Sequence, residues 1–223
     1  MSLLLAIETS SDDYRIVLGR EGRPVFDSAG GCGGVPPRDL AGLVSCALGS
    51  VNAPVTEITG VALNVGPGGL SYVRAGVSFV NALAYSLGVR IYPFNYFEII
   101  ANQARKLTAS PVLTAVPAAN DYAYVSLARG ASVEIMRFGP LHSAVAEVTG
   151  GLTEVAVAGR LRHRLPSLLS GVEVFDTGIE KPDAGVLLDL GFRAHERADG
   201  SAAQVSPLND QSEVFYEQAP PTH

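Results

Sequence analysis

The beginning of the chain alternates between short apolar runs and polar breaks. Residues 3–7 form a continuous apolar run, which is typical of a strand buried on both faces. The polar stretch 8–13 interrupts this run, and apolar runs return at residues 14–18 and 24–26, with Glu21-Gly22 as a turn between them. The pattern predicts an antiparallel meander of three strands whose first hairpin has a polar tip.

Further along, strand and helix patterns alternate. The glycine-rich stretch Gly30–Gly34 predicts a loop, because glycine is costly inside regular elements. Two buried strands joined by an apolar helix require parallel pairing with a right-handed crossover. The predicted helices run from after Asp39 to about Leu48, from Ser71 to Leu87 and from Tyr96 to Lys106, and the strands cover 58–65 and 89–93. Together with the meander, these elements predict a mixed, ribonuclease-H-like sheet.

The second half repeats this order of elements without a residue-by-residue repeat. Its predicted strands are 112–116, 123–128, 133–138, 152–158 and 172–175, and its predicted helices are Leu161–Leu169 and about Ala184–Arg193. We therefore predict an α/β protein with two ribonuclease-H-like lobes. The first lobe covers residues 1–107. The smaller second lobe covers 108–223 and ends in a frayed tail at Gln218–His223.

Composition restricts the classes of function. The net charge of -6 disfavours autonomous binding of nucleic acid, which depends on clustered Lys and Arg, but permits RNA chemistry beside a more basic partner. Cys32 and Cys46 form no CxxC motif, so we expect two reduced thiols, with a disulfide or redox pair as the alternative. The N-terminal apolar run stops at Glu8, without a basic region or cleavage site, which predicts a cytoplasmic protein.

Three segments of the first lobe carry a family resemblance. Leu5–Ser10 resembles the LAIDTS start of the bacterial TsaB (YeaZ) family. Gly66–Val77 is similar to the GPGSFTGLRIGV element of that family, and Ala82–Val89 resembles the segment that follows it. The resemblance covers residues 3–107 well and the second half only in its order of elements. It implies the actin/sugar-kinase-like fold, which consists of two ribonuclease-H-like lobes.

The same resemblance implies a function. TsaB-like proteins act in making the threonylcarbamoyl-adenosine modification of tRNA, as non-catalytic scaffold partners of a paralogous TsaD. TsaD holds the metal and transfers the threonylcarbamoyl group, and the ATPase TsaE joins the two. TsaB also self-associates through helices of its first lobe. We therefore expect a TsaD-like and a TsaE-like partner, a homodimer when the chain is alone, tRNA contact only through the complex, and no membrane.

Two turns of the first lobe are candidate phosphate sites. Glu8, Thr9, Ser10 and Asp12 lie in the first hairpin turn, which meets phosphate and metal in nucleotide-binding relatives. Gly66 and Gly68 precede a helix N-terminus, where free N–H groups favour anions. The alternative is structural: a polar turn that satisfies its own backbone, and glycines that permit a tight reversal. We expect no cofactor to bind the chain alone. Binding of ATP or ADP at a subunit boundary remains an alternative.

The helix predicted at 71–87 is a candidate interface. Arg74, Ser78, Asn81 and Tyr85 give it one narrow polar stripe, and most of its remaining surface is apolar. Such a helix is either buried or packed on a partner. Coverage by the second lobe and a subunit interface are both consistent with the pattern, and the family resemblance favours the interface. The predicted interface residues are Val73, Arg74, Val77, Phe79, Val80, Asn81 and Ala84.

Two enzyme classes remain as alternatives. A nucleotide-dependent enzyme of the actin/sugar-kinase-like group would need carboxylates in both hairpin turns, and Asp121 is the candidate in the second. A glycoprotease-like hydrolase would need a metal or an activated nucleophile. No two histidines have the HxxxH spacing used by TsaD-like proteins, so we assign neither metal ligands nor catalytic residues.

Overall fold

Two five-stranded mixed sheets organise the chain. The computed structural model describes residues 2–208, which divide into one unit made of residues 2–95 and 183–208 and a second unit made of residues 96–182. The predicted frayed tail lies outside the described residues. No helix among residues 2–208 has both the length and the apolar character needed to cross a bilayer.

The first unit contains the predicted meander and crossover. Its elements are β1 (Leu3–Glu8), β2 (Arg15–Arg20), β3 (Arg23–Asp27), α1 (Leu40–Ser50), β4 (Gly60–Asn64), α2 (Leu70–Leu87), β5 (Arg90–Phe94) and α5 (Ala184–Arg197). The strand order is β3-β2-β1-β4-β5. β1, β2 and β3 pair antiparallel, whereas β1, β4 and β5 pair parallel. Short 3-10 helices lie at Ser28–Gly30 and Val55–Glu57.

Both faces of this sheet are covered, which is why β1 and β4 are apolar throughout most of their length. Side chains that alternate along the strands, such as Leu5 and Val61, form a core with α1 and α2. The opposite face packs on α5, where a Cβ on Gly191 would lie 2.6 Å from Ala62 Cβ and 3.6 Å from Leu4 Cδ2. The Asp183 carboxylate caps the start of α5 by accepting a hydrogen bond from Val186 N at 2.8 Å.

The second unit has the same strand order. Its elements are α3 (Tyr96–Ala104), β6 (Val112–Pro117), β7 (Tyr122–Arg129), β8 (Ser132–Pro140), α4 (Leu141–Thr149), β9 (Glu154–Ala158) and β10 (Glu173–Asp176). The strand order is β10-β9-β6-β7-β8. When the strands of each unit are counted along the chain, this order is 5-4-1-2-3, which is the order of the first unit read from its other edge. α3 packs on one face of this sheet and α4 on the other. The predicted duplicated, ribonuclease-H-like architecture is confirmed.

Two helical predictions need correction. α4 was not predicted, although Leu141, Ala144, Val145 and Val148 follow the helical period and form its buried face. The helix predicted at 161–169 is instead a pair of 3-10 turns, Arg162–Arg164 and Pro166–Leu168. Pro166 explains the difference, because proline lacks the N–H that a continuous helix requires and clashes with the preceding turn.

The units also differ from the predicted division at residues 107 and 108. α3 follows β5 in the chain but belongs to the second unit, and α5 follows β10 but belongs to the first. In each unit, therefore, one of the helices that cover the sheet follows the last strand of the other unit in the chain. Local patterns identify these helices but carry no information about which sheet each one covers.

Replacing Gly191 by Ala should destabilise the protein, because the new Cβ would overlap Ala62 on the sheet. We expect a loss of about 1–3 kcal/mol in the free energy of unfolding, measured by chemical denaturation followed by circular dichroism. Gly49→Ala is the matched control in α1, where an added Cβ meets nothing within 4 Å. That control should stabilise the protein by about 0.4–1 kcal/mol. Equal effects of the two substitutions would contradict the close packing of α5.

Candidate functional site

A buried carboxylate joins the ends of two neighbouring parallel strands. Glu8, the last residue of β1, is 3% exposed. Its Oε1 accepts a hydrogen bond from Ser10 N at 2.6 Å, and its Oε2 accepts one from Asn64 Nδ2 at 2.5 Å. Asn64 ends β4 and accepts through Oδ1 from Gly66 N at 2.9 Å. We call Glu8, Ser10, Asn64 and Gly66 the strand-end clamp.

The loop before α2 packs directly on the hairpin turn. Gly69 N donates a hydrogen bond to the Ser10 carbonyl at 2.9 Å. A Cβ on Gly68 would overlap that carbonyl oxygen and lie 2.7 Å from Ser10 Cα, and a Cβ on Gly76 would overlap Thr9 Oγ1. Gly66 has a φ of 105°, a conformation that favours glycine. These glycines therefore let the loop and helix approach the hairpin closely.

Five of the six predicted phosphate-site residues come together here, namely Glu8, Thr9, Ser10, Gly66 and Gly68. Asp12 is exposed and offers its carbonyl oxygen to Arg38 Nε at 2.9 Å. The side-chain oxygens of Thr9 and Ser10 are buried and have no hydrogen-bond partner within the described residues. α2 begins after Gly69 without a side-chain cap. Phosphate contact at this end of the sheet stays a prediction.

An arginine and two tyrosines cover the outer side of the hairpin turn. The Arg38 guanidinium lies over the Tyr72 ring, 4.7 Å from its centroid, and the Tyr14 and Tyr72 rings meet edge to face at 6.2 Å. Tyr14 N donates to the Pro37 carbonyl at 3.2 Å. Burial raises the pKa of the Tyr14 phenol, and the Arg38 charge opposes that effect. Tyr14 is therefore uncharged near neutral pH.

Four of the predicted interface residues on α2 are corrected by the structure. Val73, Val77, Val80 and Ala84 are at most 4% exposed, because they form the face of α2 that packs on the first sheet. They cannot contact a partner while the unit stays folded. The apolar pattern marked the buried face of the helix, which sequence alone did not separate from a binding face.

Asn81, also predicted at the interface, holds the chain that follows α5. Its Nδ2 donates to the Val205 carbonyl at 2.9 Å, and its Oδ1 accepts from Val205 N at 3.0 Å. We call residues 202–208 the strap. The strap exchanges two backbone hydrogen bonds with Ile91 through Ala202, and Leu208 N donates to the Val65 carbonyl at 2.7 Å. Asn81 therefore has a structural role in holding the strap, and its place at an interface stays a prediction.

The solvent-facing side of α2 presents small residues around one aromatic side chain. Tyr85 is 88% exposed, and Arg74, also predicted at the interface, is exposed. Beyond Leu70, the exposed first residue of α2, the exposed helical positions are Ser71, Arg74, Ala75, Ser78, Ala82, Tyr85 and Ser86. Phe79 is half-buried at their margin. We call the exposed set Ser71–Ser86 the outer face of α2, and partner contact through this face and Phe79 stays a prediction.

The second hairpin turn offers surface ion pairs. Asp121, the candidate carboxylate there, pairs with Arg164 at 3.0 Å, and both side chains are about half exposed or more. Elsewhere in the second unit, Arg162 Nε lies 3.3 Å from Asp176 Oδ1, and Arg162 Nη1 lies 3.8 Å from Glu180 Oε2. Among residues 2–208, no group of three or more His, Cys, Asp or Glu side chains is placed to hold a metal ion.

Sequence reasoning missed Asn64 and Gly76 as parts of this site. Asn64 had a signal, because it is an amide at the end of an otherwise apolar strand, where a buried polar group requires a partner. Gly76 had little signal, since a glycine within a helix has many causes. Only the position of Thr9 beneath it explains why no larger residue fits.

Comparisons with known proteins place the chain in one family. The family model described as TsaD, tRNA N6-adenosine threonylcarbamoyltransferase, matches residues 37–175. A protein of that name from Geotalea uraniireducens is 31% identical over 112 residues, covering 43% of this chain and 33% of that protein. One from Chlorobium limicola is 30% identical over 109 residues, covering 43% and 31%. The chain thus spans about a third of the length of these curated relatives.

Two solved structures match the chain over its whole length. YeaZ from Pseudomonas aeruginosa superposes with a TM-score of 0.72 and 22% identity, covering 100% of both chains. A protein described as similar to peptidase YeaZ from Pseudomonas aeruginosa gives a TM-score of 0.73 and 23% identity, covering 100% of this chain and 99% of that one. At these identities the likeness concerns the fold.

Replacing Glu8 by Gln should weaken the strand-end clamp. A carboxylate accepts through both oxygens, whereas an amide would turn its NH₂ towards either Ser10 N or Asn64 Nδ2, both of which are donors. We expect a loss of about 1–3 kcal/mol in the free energy of unfolding, measured by denaturation. The control is Glu57→Gln, which removes a surface pair with Arg20 and should cost less than about 1 kcal/mol. Indistinguishable losses would refute the clamp.

Proposed function

Because the chain belongs to the family whose model is described as TsaD, tRNA N6-adenosine threonylcarbamoyltransferase, we propose that it is a non-catalytic subunit in the threonylcarbamoylation of tRNA adenosine. Its proposed partners are a TsaD-like paralogue, which holds the metal and transfers the group, and a TsaE-like ATPase. The chain reaches tRNA only through this complex, which works in the cytoplasm.

The strand-end clamp is the observation that carries this proposal. A nucleotide-using enzyme of this fold meets phosphate and metal at the first hairpin turn through a carboxylate and backbone N–H groups. In this chain both Glu8 carboxylate oxygens already accept hydrogen bonds from within the unit. The Ser10 backbone also occupies the space in front of Gly68. The side chain and backbone of the turn thus serve to join β1 to β4, which favours a structural role for the turn.

Charge and residue spacing support a complex in which the partner holds the metal and attracts the tRNA. The histidines, at positions 142, 163, 195 and 223, lack the i, i+4 spacing that places two metal ligands on one helix face. Arg162 and Arg164, within the basic run of the second unit, are paired with carboxylates. With a net charge of -6, the chain depends on its partner for attraction to the tRNA backbone.

The outer face of α2 is the proposed docking surface. The small side chains Ala75 and Ala82 permit close approach of a second helix, and Tyr85 offers a large amphipathic contact that is 88% exposed. The proposed occupant is a helix of the TsaD-like paralogue, replaced by a second copy of this chain when it is alone. Any ATP or ADP is proposed to bind at that subunit boundary rather than to the free chain.

Reconstitution tests the proposed function. The purified chain should form no threonylcarbamoyl-adenosine when incubated with tRNA, the activated threonylcarbamoyl donor and ATP. Adding the TsaD-like and TsaE-like proteins from the same organism should give the modified nucleoside, detected by mass spectrometry of digested tRNA. Product should fall to background when this chain alone is left out.

Two results would contradict the proposal. One is formation of the modified nucleoside, or ATP hydrolysis at an enzyme-like rate, by the chain without partners. The other is full product formation by the partner proteins in its absence.

The docking surface is tested by introducing a charge on α2. Ala82→Glu should weaken binding to the TsaD-like partner at least about tenfold, because it buries a carboxylate in the contact, while the midpoint of thermal unfolding stays unchanged. The matched control is Ala146→Glu on the exposed side of α4, which should alter neither quantity. Binding is measured by isothermal titration calorimetry. Unchanged affinity of the Ala82 variant would exclude this surface.

A further inference from the structure

The chain passes from α5 into the strap through an aspartate–glycine pair. Asp199 and Gly200 follow α5 closely, and both residues are exposed. Asp199 is the single aspartate of the sequence that precedes a glycine, and no asparagine precedes one. Because glycine has no Cβ, its backbone nitrogen is the least hindered one that a neighbouring side-chain carboxyl group can meet. The function proposed above uses neither residue.

Both groups that would react are unengaged among residues 2–208. There the Asp199 carboxylate accepts no hydrogen bond and forms no ion pair, and Gly200 N donates no hydrogen bond. Asp199 N, by contrast, donates to the Ala194 carbonyl at 3.1 Å. Gly200 has a φ of 63°, and a Cβ there would meet nothing within 4 Å. The Asp199 side chain can therefore rotate towards the next peptide nitrogen without breaking a described contact.

We propose that Asp199 and Gly200 form a modification site at which the backbone isomerises to isoaspartate in the folded protein. In the first step Gly200 N bonds to the side-chain carboxyl carbon of Asp199, which closes a five-membered succinimide ring. The bond from that carbon to one carboxyl oxygen breaks, and the oxygen leaves as water with the amide proton.

The second step is hydrolysis of the ring. Water attacks the carbonyl carbon that belonged to the Asp199 main chain, and the bond from that carbon to Gly200 N breaks. The chain then continues through the Asp199 side chain, and the former main-chain carbonyl becomes the free carboxylate. One water leaves and one enters, so the mass is unchanged and the reaction needs no oxidant, reductant or other co-reactant.

The site lies between two attached points of the backbone. On one side, Asp199 N is bound to the Ala194 carbonyl at the end of α5. On the other side, Ala202 exchanges two hydrogen bonds with Ile91 on β5, at 2.9 and 2.8 Å. Isoaspartate adds one methylene carbon to the main chain, which lengthens this short connection by about 1.5 Å. Either the end of α5 or the contact with β5 must accommodate the added length.

The contact with β5 is the weaker of these two points. The end of α5 belongs to a helix whose buried face packs on the first sheet. The strap forms neither a helix nor a regular strand, and its first attachment after the site is the isolated bridge between Ala202 and Ile91. Isomerisation should therefore loosen Ala202 from β5 while α5 stays on the sheet.

Peptide mapping of the intact chain, incubated at neutral pH under conditions that keep it folded, tests the proposal. Trypsin cleaves after Arg197, and no Lys or Arg follows, so residues 198–223 form one peptide that carries the site. Isoaspartate at Asp199 should accumulate with time, identified by electron-transfer fragmentation. In heavy-oxygen water, each conversion should add one heavy oxygen atom. Asp27 and Asp183, whose carboxylates accept hydrogen bonds as helix caps, should stay unmodified.

Asp199→Glu is the matched control, because the longer side chain keeps the charge but would have to close a six-membered ring, which forms far more slowly. This variant should stay unmodified at the same site. Amide hydrogen exchange then tests the effect on the strap. The Ala202 amide of the isomerised chain should exchange about tenfold faster than that of the variant, corresponding to the loss of one net hydrogen bond. The amide of Leu187 within α5 should exchange equally in both.

Two results would overturn the proposed site. One is an Asp199 that stays unmodified in the folded chain but isomerises after denaturation, since the fold would then block the attack. The other is modification of Asp27 as fast as that of Asp199. Unchanged exchange of the Ala202 amide in the isomerised chain would overturn the loosening of the strap. The experiment needs neither tRNA nor a partner, so its result is independent of the proposed function.

Discussion

The burial of one carboxylate constrains the first unit. A charged group removed from water is strongly destabilising unless hydrogen bonds replace its hydration. Glu8 meets this condition where the ends of β1 and β4 lie side by side, because Ser10 N and the Asn64 amide are among its donors. The register of the parallel pair, the path of the loop before α2 and the glycines that let α2 approach all serve that arrangement.

Much of the fold could be predicted from local pattern. Continuous apolar runs identified β1 and β4, and Gly88 correctly marked the end of α2, where its φ is 67°. The order of elements was enough to predict two ribonuclease-H-like lobes, which the paired sheets confirm. The family resemblance, based on residues 5–10 and 66–77, agrees with the family match. These features are local or depend on order alone, so a single sequence carries them.

The candidate site was less predictable, for a physical reason. An apolar helix face looks the same in sequence whether a sheet or a partner covers it, so Val73 and Val77 were assigned to the wrong surface. The role of Asn81 depends on Val205, far along the chain, and that of Gly76 depends on Thr9 in a separate strand end. Contacts between distant segments leave no periodic signal in either segment.

The exchange of covering helices makes the two halves of this protein inseparable. A polypeptide ending after residue 107 would carry α3 without the sheet it covers, and it would lack α5, which shields Leu4 and Ala62 on the first sheet. The complementary polypeptide, which begins at residue 108, would carry α5 without the first sheet and would lack α3 on the second sheet. Although the architecture is repeated, neither repeat is a unit that can be inherited, expressed or excised by cutting the chain once. Insertions that lengthen one half must leave both crossings intact.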